Sequence, residues 1–161
     1  MSVASSLTRR SGAAASAQID PRGPRLAATL TTIVLALTLV TGSGWLLAAQ
    51  AVLFGIGAVL GVQHTPYSVL FRRVIRPRLA PPAQLEDARP PQFAQAVGLV
   101  FALVGVVAAA AGATPVFLAA TGLALGAAFL NAAFGFCLGC EIYLIARRYL
   151  PTASATEETP A

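Results

Sequence analysis

Two stretches of this chain, residues 26–71 and 90–140, contain no Asp, Glu, Lys or Arg. One helix crosses the hydrocarbon core of a bilayer with about 20 apolar residues. Each stretch therefore holds two spans and a tight turn, and His64 in the first is the chain's one histidine. A soluble helical bundle is excluded by the same feature, because a soluble helix keeps a charged or polar face. Composition agrees: 57% of residues are hydrophobic and 11% are charged, against about 25% charged in a soluble domain. The expected fold is all-α: a polytopic membrane protein with four transmembrane helices near residues 26–44, 45–63, 93–112 and 115–134, and short cytoplasmic interfacial helices. Residues 20–150 form the expected membrane domain, and residues 1–19 and 151–161 the expected disordered tails. The Ser/Ala-rich start has no apolar core of its own, so no cleavable signal is read there. The first span is expected to serve as an uncleaved anchor.

All 11 basic residues are Arg, and the net charge is +5. Arg9, Arg10, Arg22 and Arg25 precede the first span. Arg72, Arg73, Arg76, Arg78 and Arg89 fill the middle loop, and Arg147 and Arg148 follow the last span. A nucleic-acid partner is not expected, because these charges flank apolar runs instead of building one basic face. They suit anionic lipid head groups. The positive-inside rule then puts both termini and the middle loop in the cytoplasm.

The two halves read as a duplication. Asp20-x-Arg22-x-Pro24-x-Leu26-Ala27 recurs as Asp87-x-Arg89-x-Pro91-x-Phe93-Ala94. Gly57-x-x-x-Gly61 recurs as Gly122-x-x-x-Gly126. Each half ends in an amphipathic, Arg-bearing piece closed by Pro77 or Pro151. Thr65-Pro66 starts the first of these as an N-cap followed by Pro at the first helical position. A helical hairpin repeated in this way implies a pseudo-two-fold axis along the membrane normal. Small residues let helices approach closely in lipid, where no hydrophobic drive associates them. Gly57, Gly61, Gly122 and Gly126 are therefore expected to let the second and fourth spans cross at the centre, or to form a homodimer contact.

Chemistry concentrates at one place. The only two cysteines stand as Phe136-Cys137-Leu138-Gly139-Cys140-Glu141, where the second charge-free stretch ends. Three residues apart on a helix puts both sulfurs on one face, close enough to bridge. A first Cys at a helix start meets unpaired backbone N–H groups that stabilise its thiolate. Gly139 is read as a helix breaker. Glu141 is adjacent and opposes a thiolate, and His64 is the candidate helper across the pseudo-symmetry.

Several functions fit these residues. Cys137 and Cys140 form a thiol-redox or sulfane-sulfur relay, or they are small packing residues. A metal site wants four ligands, and one chain supplies two thiols and His64, so no metal and no cofactor is expected unless a dimer pools its thiols. Quinone-linked four-helix thiol oxidases also carry Cys-x-x-Cys in a bundle, but they need a second cysteine pair, which is missing here. The alternative of a different class is a membrane scaffold or a small-solute transport component. The absence of charges within the spans weighs against an ion pathway. Asn131 is read as an interhelical hydrogen-bond partner.

Asp20-x-Arg22-x-Pro24-Arg25, Pro66-Tyr67, Arg76-Pro77-Arg78-Leu79, Glu86-Asp87, Pro91-x-Phe93-Ala94 and Gly135-Phe136-Cys137-Leu138-Gly139-Cys140-Glu141-x-Tyr143 together form a pattern. It resembles the bacterial integral-membrane family described as domain of unknown function 4395, over residues 20–148. The Cys-Leu-Gly-Cys motif is its specific part. The resemblance implies a multi-pass protein of the bacterial cytoplasmic (inner) membrane, and no activity. It further implies thioredoxin- or sulfurtransferase-like proteins as partners, since such proteins are the genomic company of that family.

Overall fold

The computed structural model describes residues 17–149, so the expected tails lie almost wholly outside the described residues. Side-chain caps decide where the helices begin. Asp20 Oδ1 accepts the Arg22 backbone N–H at 3.0 Å, and α1 runs Arg22–Thr41. Asp87 Oδ1 accepts the Arg89 N–H at 2.8 Å, and α4 runs Arg89–Ala110. Both helices thus start about one turn before the first strictly apolar residue. Ser43 caps α2, Gly44–Val59. Thr65 caps the short α3, Pro66–Leu70, with Pro at its start. The last two helices are α5, Thr114–Phe134, and α6, Leu138–Tyr149. The expected first interfacial helix is irregular. After α3 the chain widens into a π turn, Phe71–Ile75, then tightens into a 3₁₀ turn, Arg76–Arg78, around Pro77.

A two-stranded antiparallel pair joins the two entry motifs, and nothing in the residue pattern marks it as strand. Strand β1, Gln18–Ile19, begins two residues before the expected domain boundary and pairs with β2, Glu86–Asp87. Ile19 faces Glu86, its own counterpart in the second copy of the entry motif. Antiparallel pairing of equivalent residues is what a local two-fold produces. The packing obeys the same exchange: α1 packs on α5, α2 on α4, α3 on α1 and α6 on α4.

This arrangement corrects the expected helix crossing. Each half's second helix lies beside the other half's first, so α2 and α5 are not an extensively packed pair. Gly122 and Gly126 have open space where a Cβ would stand. A Cβ on Gly57 would meet the Gln95 side chain of α4, at 2.8 Å from Cγ. Gly61 has φ +97° and ends α2. Its counterpart is Gly135, φ +69°, which ends α5, and not Gly126. The close approach runs along α4 instead. A Cβ on Gly98 would stand 3.0 Å from the Phe54 ring, and one on Gly105 would stand 2.5 Å from Leu47 Cδ2. Small residues on α4 thus receive large ones from α2.

The core is apolar, built on Leu35, Leu47, Phe54 and Phe117, with a few polar side chains set into it, and the exterior is apolar as well. Gln50, Thr38 and Thr121 are fully buried, whereas Val40, Val107 and Leu123 are exposed. Such an apolar exterior fits lipid as the surrounding medium. Three helices, α1, α4 and α5, are long and apolar enough to cross a membrane; α2, with 16 residues, is shorter. These apolar helices mark a membrane protein.

Candidate functional site

The site forms where α5 stops and α6 begins. Gly135 takes a left-handed conformation that only glycine adopts cheaply. Its N–H bonds the Asn131 carbonyl at 3.0 Å. The neighbouring carbonyls need donors, and α1 provides them. Arg25 donates from Nε to the Ala132 carbonyl and from Nη2 to the Ala133 carbonyl, both at 3.2 Å. A cation at a helix C-terminus also meets the negative end of the helix dipole. The repeat has its own version: Gln92, the counterpart of Arg25, donates to the Ala58 carbonyl near the end of α2 at 2.9 Å.

Cys137 stands just before α6, and its carbonyl accepts the Glu141 N–H at 3.0 Å. Cys140 lies in the first turn. The two are joined as a disulfide with Cα atoms 5.2 Å apart. Leu138 and Gly139 between them do different jobs. Leu138 is exposed. A Cβ on Gly139 would lie 2.7 Å from both Cα and Cβ of Ala94. Gly139 is therefore the point where α6 touches the backbone of α4, and not the helix breaker; Gly135 breaks the helix. Further along α6, Tyr143 stacks at a tilt on Phe93 with ring centroids 5.7 Å apart, and Arg147 sits 6.0 Å from the Tyr143 ring.

This docking leaves a cavity of about 870 Å³ between the halves, with Cys137 and Cys140 on its wall. Its charged lining residues, Arg22, Arg25, Glu86, Asp87 and Glu141, all lie where α1, α4 and α6 begin. Deeper in, the wall is apolar, with Phe54, Val97, Phe101 and Leu123. Uncharged polar side chains also line the cavity: Thr31 of α1, Gln95 of α4, Asn131 in the last turn of α5, and Thr65 and Ser68 at the start of α3. Thr31 is held in a relay in which Tyr67 Oη donates to Gln50 Oε1 at 3.1 Å and Gln50 Nε2 donates to Thr31 Oγ1 at 3.4 Å. Burial raises the Tyr67 phenol above its ordinary value.

Of the residues singled out by sequence, Cys137, Cys140 and Glu141 share this wall, and Glu141 is exposed at its rim. His64 does not line the cavity; its Nδ1 lies 2.6 Å from the Leu60 carbonyl of its own segment. Asn131 lines the cavity. Among the described residues no three His, Cys, Asp or Glu side chains converge. Sequence reasoning overlooked Arg25 and Gln95. Arg25 was legible as the partner of Gln92 in the repeated entry motif, whereas nothing in the sequence pointed to Gln95.

The model of one family, Domain of unknown function (DUF4395), matches residues 19–148. The chain belongs to this family. The match takes in every element from the end of β1 to the last turn of α6, so the dithiol and the cavity wall both lie inside the family's domain. Neither a curated protein nor a solved structure matches the chain.

Proposed function

We propose that this family member is a four-span protein of the cytoplasmic membrane whose Cys137 and Cys140 act as one cytoplasm-facing redox dithiol. In this reading α2 is the fourth span. Its helix is about 24 Å long at about 1.5 Å per residue, short of a core about 30 Å thick, and thinning of the bilayer covers the mismatch. The Arg clusters keep both termini and the middle loop inside.

The observation that carries the reading is the position of the pair: at the start of a 12-residue helix and on the wall of an open cavity. The unpaired N–H groups of α6 favour a Cys137 thiolate. That thiolate attacks the disulfide of a soluble partner. One S–S bond breaks, a mixed disulfide forms and the first partner thiolate leaves. The Cys140 thiolate then attacks Cys137 Sγ, and the second partner sulfur leaves. The partner departs as a dithiol carrying two electrons and two protons, and the pair is left as the disulfide. The reverse sequence reduces the pair again. A thioredoxin-like protein has the matching chemistry, and a sulfurtransferase persulfide could deliver sulfane sulfur to the same Cys137 thiolate.

The test is thiol labelling in intact cells and in inside-out vesicles, combined with trapping. Cys140→Ser should accumulate a mixed disulfide on Cys137, and Cys137→Ser should accumulate less on Cys140. Labelling by an impermeant reagent should need the vesicles. Two variants that trap nothing and keep full function in vivo would reduce the cysteines to packing residues. The cavity would then favour a small-solute pathway.

A further inference from the structure

A single dithiol that exchanges with a soluble partner must pass its electrons on, and the chain has no other cysteine. The cavity behind the pair indicates where they go. It begins beside Asp87 of β2, just before α4, and Glu141 in the first turn of α6, and it reaches Phe101 on α4. From Pro90 to Phe101 the helix rises about 16 Å at about 1.5 Å per residue, roughly half the thickness of a bilayer core. The space therefore extends from the membrane surface to about the midplane. Its deep part has no charged wall residue, which disfavours an anion such as a free persulfide or a sulfur oxyanion. Its lining is apolar and aromatic, yet Thr31, Gln95 and Asn131 reach it from three different helices. A hydrocarbon chain has no use for those amides and that hydroxyl. A neutral, flat, lipid-soluble molecule with hydrogen-bond-accepting oxygens does.

We propose that the cavity binds the ring of a membrane quinone and that the Cys137–Cys140 dithiol reduces it. This rests on the redox reading of the same pair and names its second substrate. The step balances. The Cys137 thiolate adds to the quinone ring, forming an S–C bond and a reduced ring. The Cys140 thiolate then attacks Cys137 Sγ, the S–S bond forms and the S–C bond breaks. The ring leaves as quinol with two electrons, and two protons, equal in number to those of the two thiols, complete its hydroxyl groups. The amide N–H groups of Gln95 and Asn131 donate to the ring oxygens, on which negative charge develops. The soluble partner dithiol then reduces the disulfide again, so the protein passes thiol electrons from the cytoplasm into the quinone pool.

The test uses the full chain in lipid nanodiscs, reduced and then freed of reductant. A short-tailed benzoquinone and a short-tailed naphthoquinone are added, and quinol formation is followed by absorbance. Wild type should form about one quinol per protein in a single turnover, and neither Cys137→Ser nor Cys140→Ser should form any. Asn131→Leu should raise the quinone concentration for half-maximal rate by about 2- to 10-fold, the worth of one hydrogen bond. Ala127→Trp, on the cavity wall, should abolish saturation. Helical circular dichroism and gel-filtration elution show that both variants are folded. Wild-type dithiol that reacts with a soluble protein disulfide but with neither quinone overturns this inference and leaves the redox reading standing. Dithiol inert toward both overturns both. Equal quinone kinetics in wild type, Asn131→Leu and Ala127→Trp would mean reaction at the surface, and would overturn the cavity as the site.

Discussion

Gly139→Ala is the sharpest probe of how α6 is held. The added Cβ would stand 2.7 Å from Cα and Cβ of Ala94. Neither atom can rotate away, because both are fixed to the α4 backbone, so relief requires α6 to move. Overpacking of this kind costs about 1–3 kcal/mol, and an immovable neighbour puts the cost near the upper end. Alanine returns at most about 1 kcal/mol of helix propensity. The net loss is about 2 kcal/mol in the docking of α6, a factor of roughly 30 in its opening equilibrium. Amide hydrogen exchange in nanodiscs reads this directly, because local opening of one helix need not unfold the rest. Protection of the α6 amides beyond the first turn should fall by that factor, while α4 and α5 keep theirs. Gly126→Ala is the control, since nothing lies within 4 Å of the point where its Cβ would stand. Unchanged α6 protection in Gly139→Ala, or an equal loss in Gly126→Ala, would refute the argument.

Arg25→Met removes two hydrogen bonds from the end of α5. Because Arg25 is exposed, the loss should be about 1 kcal/mol and not the roughly 1.5–3 kcal/mol of a sheltered charged bond. A lowered midpoint of detergent unfolding checks it, and an unchanged midpoint rejects the cap. Tyr67→Phe should cost about 1–3 kcal/mol, because it leaves the buried Gln50 Oε1 without its donor; equal unfolding midpoints for variant and wild type would count against the relay. Burial raises the folded-state pKa of Tyr67 above its unfolded value. Its contribution is therefore fully present below about pH 10 and is lost as pH rises through the folded value. A phenolate absorbance titration of wild type minus Tyr67→Phe should show one late-titrating tyrosine, and a difference curve centred at or below the ordinary value would contradict it.

Much of this protein is decided by composition and order alone. Charge-free runs of that length leave lipid as the only comfortable surroundings, whatever the tertiary packing. Arg placement and the repeated Asp-x-Arg-x-Pro entry motif follow the chain directly, because a cap acts on the two or three residues after it. For the same reason Thr65-Pro66 and the cysteine spacing were legible: their physics is local. Helix partners were not. In lipid every span is apolar on all sides, so periodicity does not mark the packed face. Gly122 and Gly126 therefore looked the same as Gly57 and Gly98, and only the assembled bundle separated open space from close contact. The role of Gly139 depends on Ala94, far away in the chain, and that of Arg25 depends on two carbonyls at the end of another helix. The cavity is likewise a property of the pair of halves, since its wall exists only once the local two-fold at β1 and β2 has brought α1, α4, α5 and α6 around one space.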